Sequence, residues 1–164
     1  VAVCRVASQV ARHRSLEQTE HDDLLGALQR ALFDKWEASE VEEVRVAAIE
    51  VLILACLRSN LIKLKVLAAL GQASEALREV MEAASPATSA RLLALLRSLV
   101  APDPIAKVVE CLPPGIVDSI VHCLCKHVSH GEVQRWGLAT LGALAKADAR
   151  FANQASEGGA TCVL

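Results

Sequence analysis

The sequence predicts an all-α chain of stacked helices, a solenoid built on one recurring unit. Three observations predict it. Gly26, Gly71, Gly115 and Gly159 stand 45, 44 and 44 residues apart, and a fixed period in this range marks a unit stacked on copies of itself. Apolar residues recur at helical spacing along most of the chain. The clearest run is Val117, Ile120, Val121, Leu124 and Val128, at i, i+3, i+4, i+7 and i+11. The composition is 53% hydrophobic but only 2% aromatic, with no Tyr. A core of Leu, Val, Ile, Ala and Cys suits close helix–helix contact better than a sheet.

Each element follows in order. Residues 1–13 read as the long helix of a preceding unit, cut short, and a shorter helix fits at 15–25, before Gly26. Glu37, Glu40, Glu42 and Glu43 gather at the start of a long helix over 41–57, where carboxylates favour the positive end of the helix dipole. Its stripe is Val44, Ala48, Val51, Leu52 and Ala55. A short helix over 60–70 leads to Gly71. Pro86 opens a helix over 87–100 in the first-turn position, where its missing N–H costs nothing; Leu92, Leu95, Leu96 and Leu99 form its apolar side. Pro102 and Pro104 mark a joint before a short helix over 104–112, which Pro113 and Pro114 stop. The helix over 115–129 carries the stripe given above. His130 and Gly131 break the chain before a helix over 132–146, with Val133, Trp136, Gly137, Leu141 and Leu144 inward. A short helix over 148–157 and an opening turn at 160–164 complete the chain. Trp36 and Trp136 read as packing residues, with small Gly137 leaving room beside the Trp136 ring.

The unit is thus a short helix, a glycine corner, a middle helix, a tight turn and a long helix. Glycine suits the corner because a positive φ or a close backbone approach excludes a Cβ. The chain reads as one domain over 1–164. Residues 1–14 end one unit, 15–58, 60–101 and 103–147 are three full units, and 148–164 begin another. Both ends expose apolar faces, which predicts a fragment of a larger protein or self-association.

This unit is similar to armadillo repeats, with the two-helix HEAT repeats as near neighbours. The resemblance is most specific in the last third. Residues 133–144 resemble the armadillo third helix, with Gly137, Leu141 and Leu144 in its small, apolar and apolar places. Glu157, Gly158, Gly159 and Ala160 resemble that family's acidic–small–glycine–alanine corner. The resemblance implies a right-handed α-α superhelix whose concave face is lined by the long helices. Many peptide-binding members carry Asn late in that helix and Trp one turn earlier. Here those places hold Leu54 and Glu50, Ser98 and Ala94, and Ala143 and Ala139. The asparagine ladder is absent, so the resemblance implies a docked helix or other partner rather than a gripped extended peptide.

The resulting expectation is a non-catalytic scaffold for a protein, peptide or helix partner. Its groove candidates are Val46, Glu50, Leu54, Ala94, Ser98, Arg135 and Ala139, with Arg97 and Arg135 placed to meet acidic partner groups. A structural spacer inside a large assembly is the alternative. The net charge of −2 gives no basic excess for nucleic acid, and the apolar run over 44–57 is too short and too charged to enter a membrane. The sequence shows no phosphate loop, nucleophile elbow or paired-carboxylate motif, so neither catalysis nor a cofactor is expected. The six cysteines lack the spacing of a disulfide framework, which predicts buried thiols in a reducing intracellular compartment, cytoplasmic or nuclear. One metal candidate remains. On a continuous helix Cys123, His127 and His130 share an arc of roughly 60°, a start for a zinc site, while His122 and Cys125 point away.

Overall fold

The computed structural model describes residues 41–100 and 114–157, with the single positions Gly26 and Leu112. Every described element is a helix, and there is no strand among the described residues. The helices are α1 (Val41–Arg58), α2 (Asn60–Gln72), α3 (Ser74–Ala83), α4 (Pro86–Val100), α5 (Ile116–Lys126), α6 (Gly131–Ala147) and α7 (Ala149–Glu157). The expected helices over 1–13, 15–25 and 104–112, the turn at 160–164, Trp36 and Gly159 lie outside the described residues, Leu112 aside.

Local chemistry sets the joints. Glu42 and Glu43 occupy the first turn of α1 and Arg58 the last, matching the helix dipole. Ser59 is the whole joint between α1 and α2. Its amide donates to Ala55 O at 3.1 Å, and its extended backbone lets its Oγ accept from Ile62 N at 3.4 Å, a helix N-cap. Ser85 caps α4 likewise, accepting from Thr88 N at 3.3 Å, with Pro86 as first helical residue. Lys126 at the end of α5 donates from Nζ to Glu82 O, and to Ala84 O at 3.3 Å. A cation thereby meets the carbonyl-rich end of α3. Gln134 Nε2 does the same for α5, donating to Leu124 O at 2.8 Å and His127 O at 3.2 Å.

The long helices α1, α4 and α6 lie side by side, with α4 in the middle. Behind them α3 packs on α5, and α5 and α7 pack on α6, while α2 links α1 to α3. The middle position explains why α4 is buried on most of its circumference, at Leu92, Leu93, Leu95, Leu96 and Leu99. Side-chain bonds tie each long helix to the one before. Thr88 Oγ1 donates to Glu42 Oε1 at 3.0 Å across 46 residues. The Thr140 hydroxyl lies 3.0 Å from Leu93 O, 47 residues back, and 2.7 Å from Trp136 O, and its single proton serves one of them at a time. The Lys126 bonds span 44 and 42 residues. These separations bracket the spacing of the glycines.

Three expectations need correction. The glycine corners are not alike. Gly115 has φ +76° and is the one left-handed residue among those described. Gly26 is helical, and Gly71 lies within α2. The corner after α2 is made by Ala73 at φ −100°, ψ 30°, a conformation any residue adopts, so it needs no glycine. Next, α5 stops at Lys126, not Ser129, because His127 leaves helical geometry at φ −115°, ψ 40°. Val128 is therefore 69% exposed instead of closing the stripe. Finally, Trp136 is half-buried at the surface, and the space over Gly137 is filled by Leu124. A Cβ on Gly137 would meet Leu124 Cδ2 at 2.4 Å, so the glycine admits α5, not the Trp136 ring.

Candidate docking groove

Alongside its buried stripe, α1 carries a second one. Glu50, Ile53, Leu54 and Leu57 stand at i, i+3, i+4 and i+7, which places them on one helix face. On α4, Arg91, Ala94 and Ser98 stand at i, i+3 and i+7. Together with Arg97 and Trp136 these residues line an open groove of about 570 Å³ over the long helices. The groove exists because the middle helix presents small residues, Ala94 and Ser98, between the taller walls of Ile53, Leu54 and Leu57 on one side and Trp136 on the other. Leu54 is 48% and Leu57 68% exposed, and as neighbours on one helix face they form a small apolar patch at the groove wall.

The polar groups around the groove are mostly committed. Glu50 Oε1 and Arg91 Nε form an ion pair at 3.0 Å. Ser98 Oγ donates to Leu95 O in its own helix at 2.7 Å. The Trp136 indole N–H donates to Glu132 Oε2 at 3.3 Å. Arg135 pairs with Glu132 at 3.5 Å, and its guanidinium carbon sits 4.8 Å from the Trp136 ring centroid, a cation–π stack. Arg97 lines the groove without an acidic partner among the described residues.

Of the seven sequence candidates, Glu50, Leu54, Ala94 and Ser98 come together here. Val46 is half-buried in a second hollow of about 490 Å³, shared with Pro86, Ala90, Arg91, His130 and Glu132. Arg135 and Ala139 are exposed on α6 and line neither hollow. Ile53, Leu57 and Arg91 escaped the sequence reading. Their signal was available, as a second heptad-spaced face on α1 and its partner face on α4. Trp136, expected to be a packing residue, does pack against the core and also forms a groove wall.

The metal candidate does not assemble. Since α5 ends at Lys126, its helical arc does not extend to His130. Cys123 is fully buried and His127 nearly so, while His130 is exposed. The two imidazole rings meet edge to face, with centroids 5.9 Å apart. Among the described residues no group of three or more His, Cys, Asp or Glu side chains is placed to hold a metal ion. Burial pushes the Cys123 thiol above its ordinary pKa, and the Cys56 thiol up to about 12 with Lys63 acting weakly the other way. Both are packing thiols rather than nucleophiles. Burial, then the neighbouring Lys126 charge, holds the His127 imidazole below its ordinary pKa, and its Nε2 is buried without a hydrogen-bond partner.

No described helix is long and apolar enough to cross a membrane. No family model matches the sequence, and comparison with curated proteins and with solved structures finds no match.

Proposed function

We propose that this chain is a non-catalytic interaction scaffold of armadillo-like units. In this reading the units wind as a right-handed superhelix, and the groove over α1, α4 and α6 receives a protein partner. One observation carries the reading: the trough joining four sequence candidates is walled by Leu54, about half exposed, and Leu57, about two-thirds exposed. The lateral bonds spanning 42–47 residues support the repeat. The buried thiols of Cys56 and Cys123 suit a reducing, intracellular setting.

Covering the exposed parts of Leu54 and Leu57 contributes on the order of 2–3 kcal/mol to a complex. The test is affinity purification from cells with the native chain, with Leu54→Asp/Leu57→Asp, and with Leu64→Asp. Leu64 is 40% exposed and lies outside the groove, so it controls for a charge added to exposed apolar surface. The groove variant should lose, about 10–100-fold, partners that the control keeps. Identical partner sets for all three chains would remove the groove from the function.

A further inference from the structure

We infer that the occupant of the groove is an amphipathic helix that places a carboxylate beside its apolar stripe, and that Arg97 selects it. This rests on the docking reading above and adds the chemistry of the partner.

The geometry disfavours an extended occupant first. A bound strand needs a ladder of donors and acceptors for its own N–H and C=O groups. The groove offers no such ladder: Glu50 and Arg91 hold each other, the Ser98 hydroxyl proton serves Leu95 O, the Trp136 N–H serves Glu132, and the Arg97 guanidinium is the one uncommitted donor group among the described lining residues. A helix satisfies its backbone internally and asks the groove only for apolar contact. The wall residues from Glu50 to Leu57 span about 10 Å, two helical turns, so a partner helix can lay its i, i+3, i+4 and i+7 side chains along it.

Charge then fixes the flank. Glu50 is cancelled by Arg91, and Arg135 by Glu132. Arg97 is left as the uncompensated charge of the groove among the described residues. Its planar fork is suited to a carboxylate, and an apolar partner surface would strand it in a desolvated site.

The test is selection of random peptides of about 15 residues, roughly four helical turns, against the full chain. Enriched peptides are then measured by fluorescence anisotropy and far-ultraviolet circular dichroism. The expected consensus is apolar residues at helical spacing with Asp or Glu at the flank. Arg97→Glu should weaken these peptides about tenfold, and the matching Glu→Lys peptide should regain binding to the Arg97→Glu chain. Enriched peptides without an acidic position, with proline-rich extended character, or indifferent to Arg97→Glu would overturn this inference. If Leu57→Asp still abolished their binding, the groove itself would stand. Peptides indifferent to Leu57→Asp, or no enrichment at all, would overturn both.

Discussion

Gly137→Ala measures how closely α5 and α6 approach. An added Cβ stands 2.4 Å from Leu124 Cδ2, 2.9 Å from Cγ and 3.3 Å from Cδ1. A methyl tip alone could turn aside, but Cγ moves only with the whole side chain, and Leu124 is 0% exposed. Overpacking of this kind costs about 1–3 kcal/mol. Replacing a helical glycine recovers about 1 kcal/mol. Because two branches and their parent carbon must move together, the net expectation is a loss of about 1–2 kcal/mol. Gly142 supplies the control: it lies in the same helix, it is exposed, and nothing stands within 4 Å of its added Cβ. Gly142→Ala should therefore stabilise by up to about 1 kcal/mol. Urea and thermal unfolding followed by circular dichroism should place the two variants roughly 4–8 °C apart in Tm, with an unchanged urea m-value. If Gly137→Ala melts at or above the native chain, the close contact with Leu124 is refuted.

Three more outcomes are expected. Thr140→Val keeps the side-chain shape but removes the buried hydroxyl shared by Leu93 O and Trp136 O, and should lower the unfolding free energy by about 1 kcal/mol; no change would show that the tie between α4 and α6 contributes nothing. In a chain with Cys4, Cys111 and Cys162 changed to Ser, the exposed Cys125 should react with a thiol reagent in the native state, whereas buried Cys56 and Cys123 should react only on unfolding; equal rates would contradict their burial. Stability should fall as pH drops below about 6.5, because the unfolded chain then binds a proton at His127 that the folded chain resists. That contribution is complete above the ordinary value and is lost as pH falls through the depressed folded one. Glu75, held low by the Arg78 hydrogen bond, and Asp148, held low by Arg150, act only at lower pH. Urea midpoints between pH 7.5 and pH 5.5 should converge on each other in His127→Gln, and an undiminished pH dependence there would exclude His127.

The helical class was legible because apolar spacing and cap chemistry agreed. The expected long helices over 41–57, 87–100 and 132–146 are met by α1, α4 and α6 to within a residue at each end. The end of α5 was not legible. Val128 continued the stripe in sequence, and only the capping of Leu124 O and His127 O by Gln134, ten and seven residues on, closes the helix early. The glycine period is visible in the sequence, but the corners it marks do not share one backbone conformation. A corner can be turned by Ala73 as well as by Gly115, and spacing does not report backbone sign. Half of the groove was legible through the repeat register, which reached Glu50, Leu54, Ala94 and Ser98. Its Trp136 wall was not, because helical spacing does not show that the half-buried ring borders the groove across from α1.

Ser59 turns the chain with no slack. Its amide finishes one helix and its hydroxyl begins the next, so the joint holds no residue that lacks a structural duty. An inserted residue there must bulge out and forfeit the cap, or roll α2 about its own axis by roughly 100°. The second course would swing Leu67, now wholly enclosed, into the exposed place of Ala68 and bring the smaller Val66 into its berth. Length at this hinge is thus as tightly specified as any side chain in the interior.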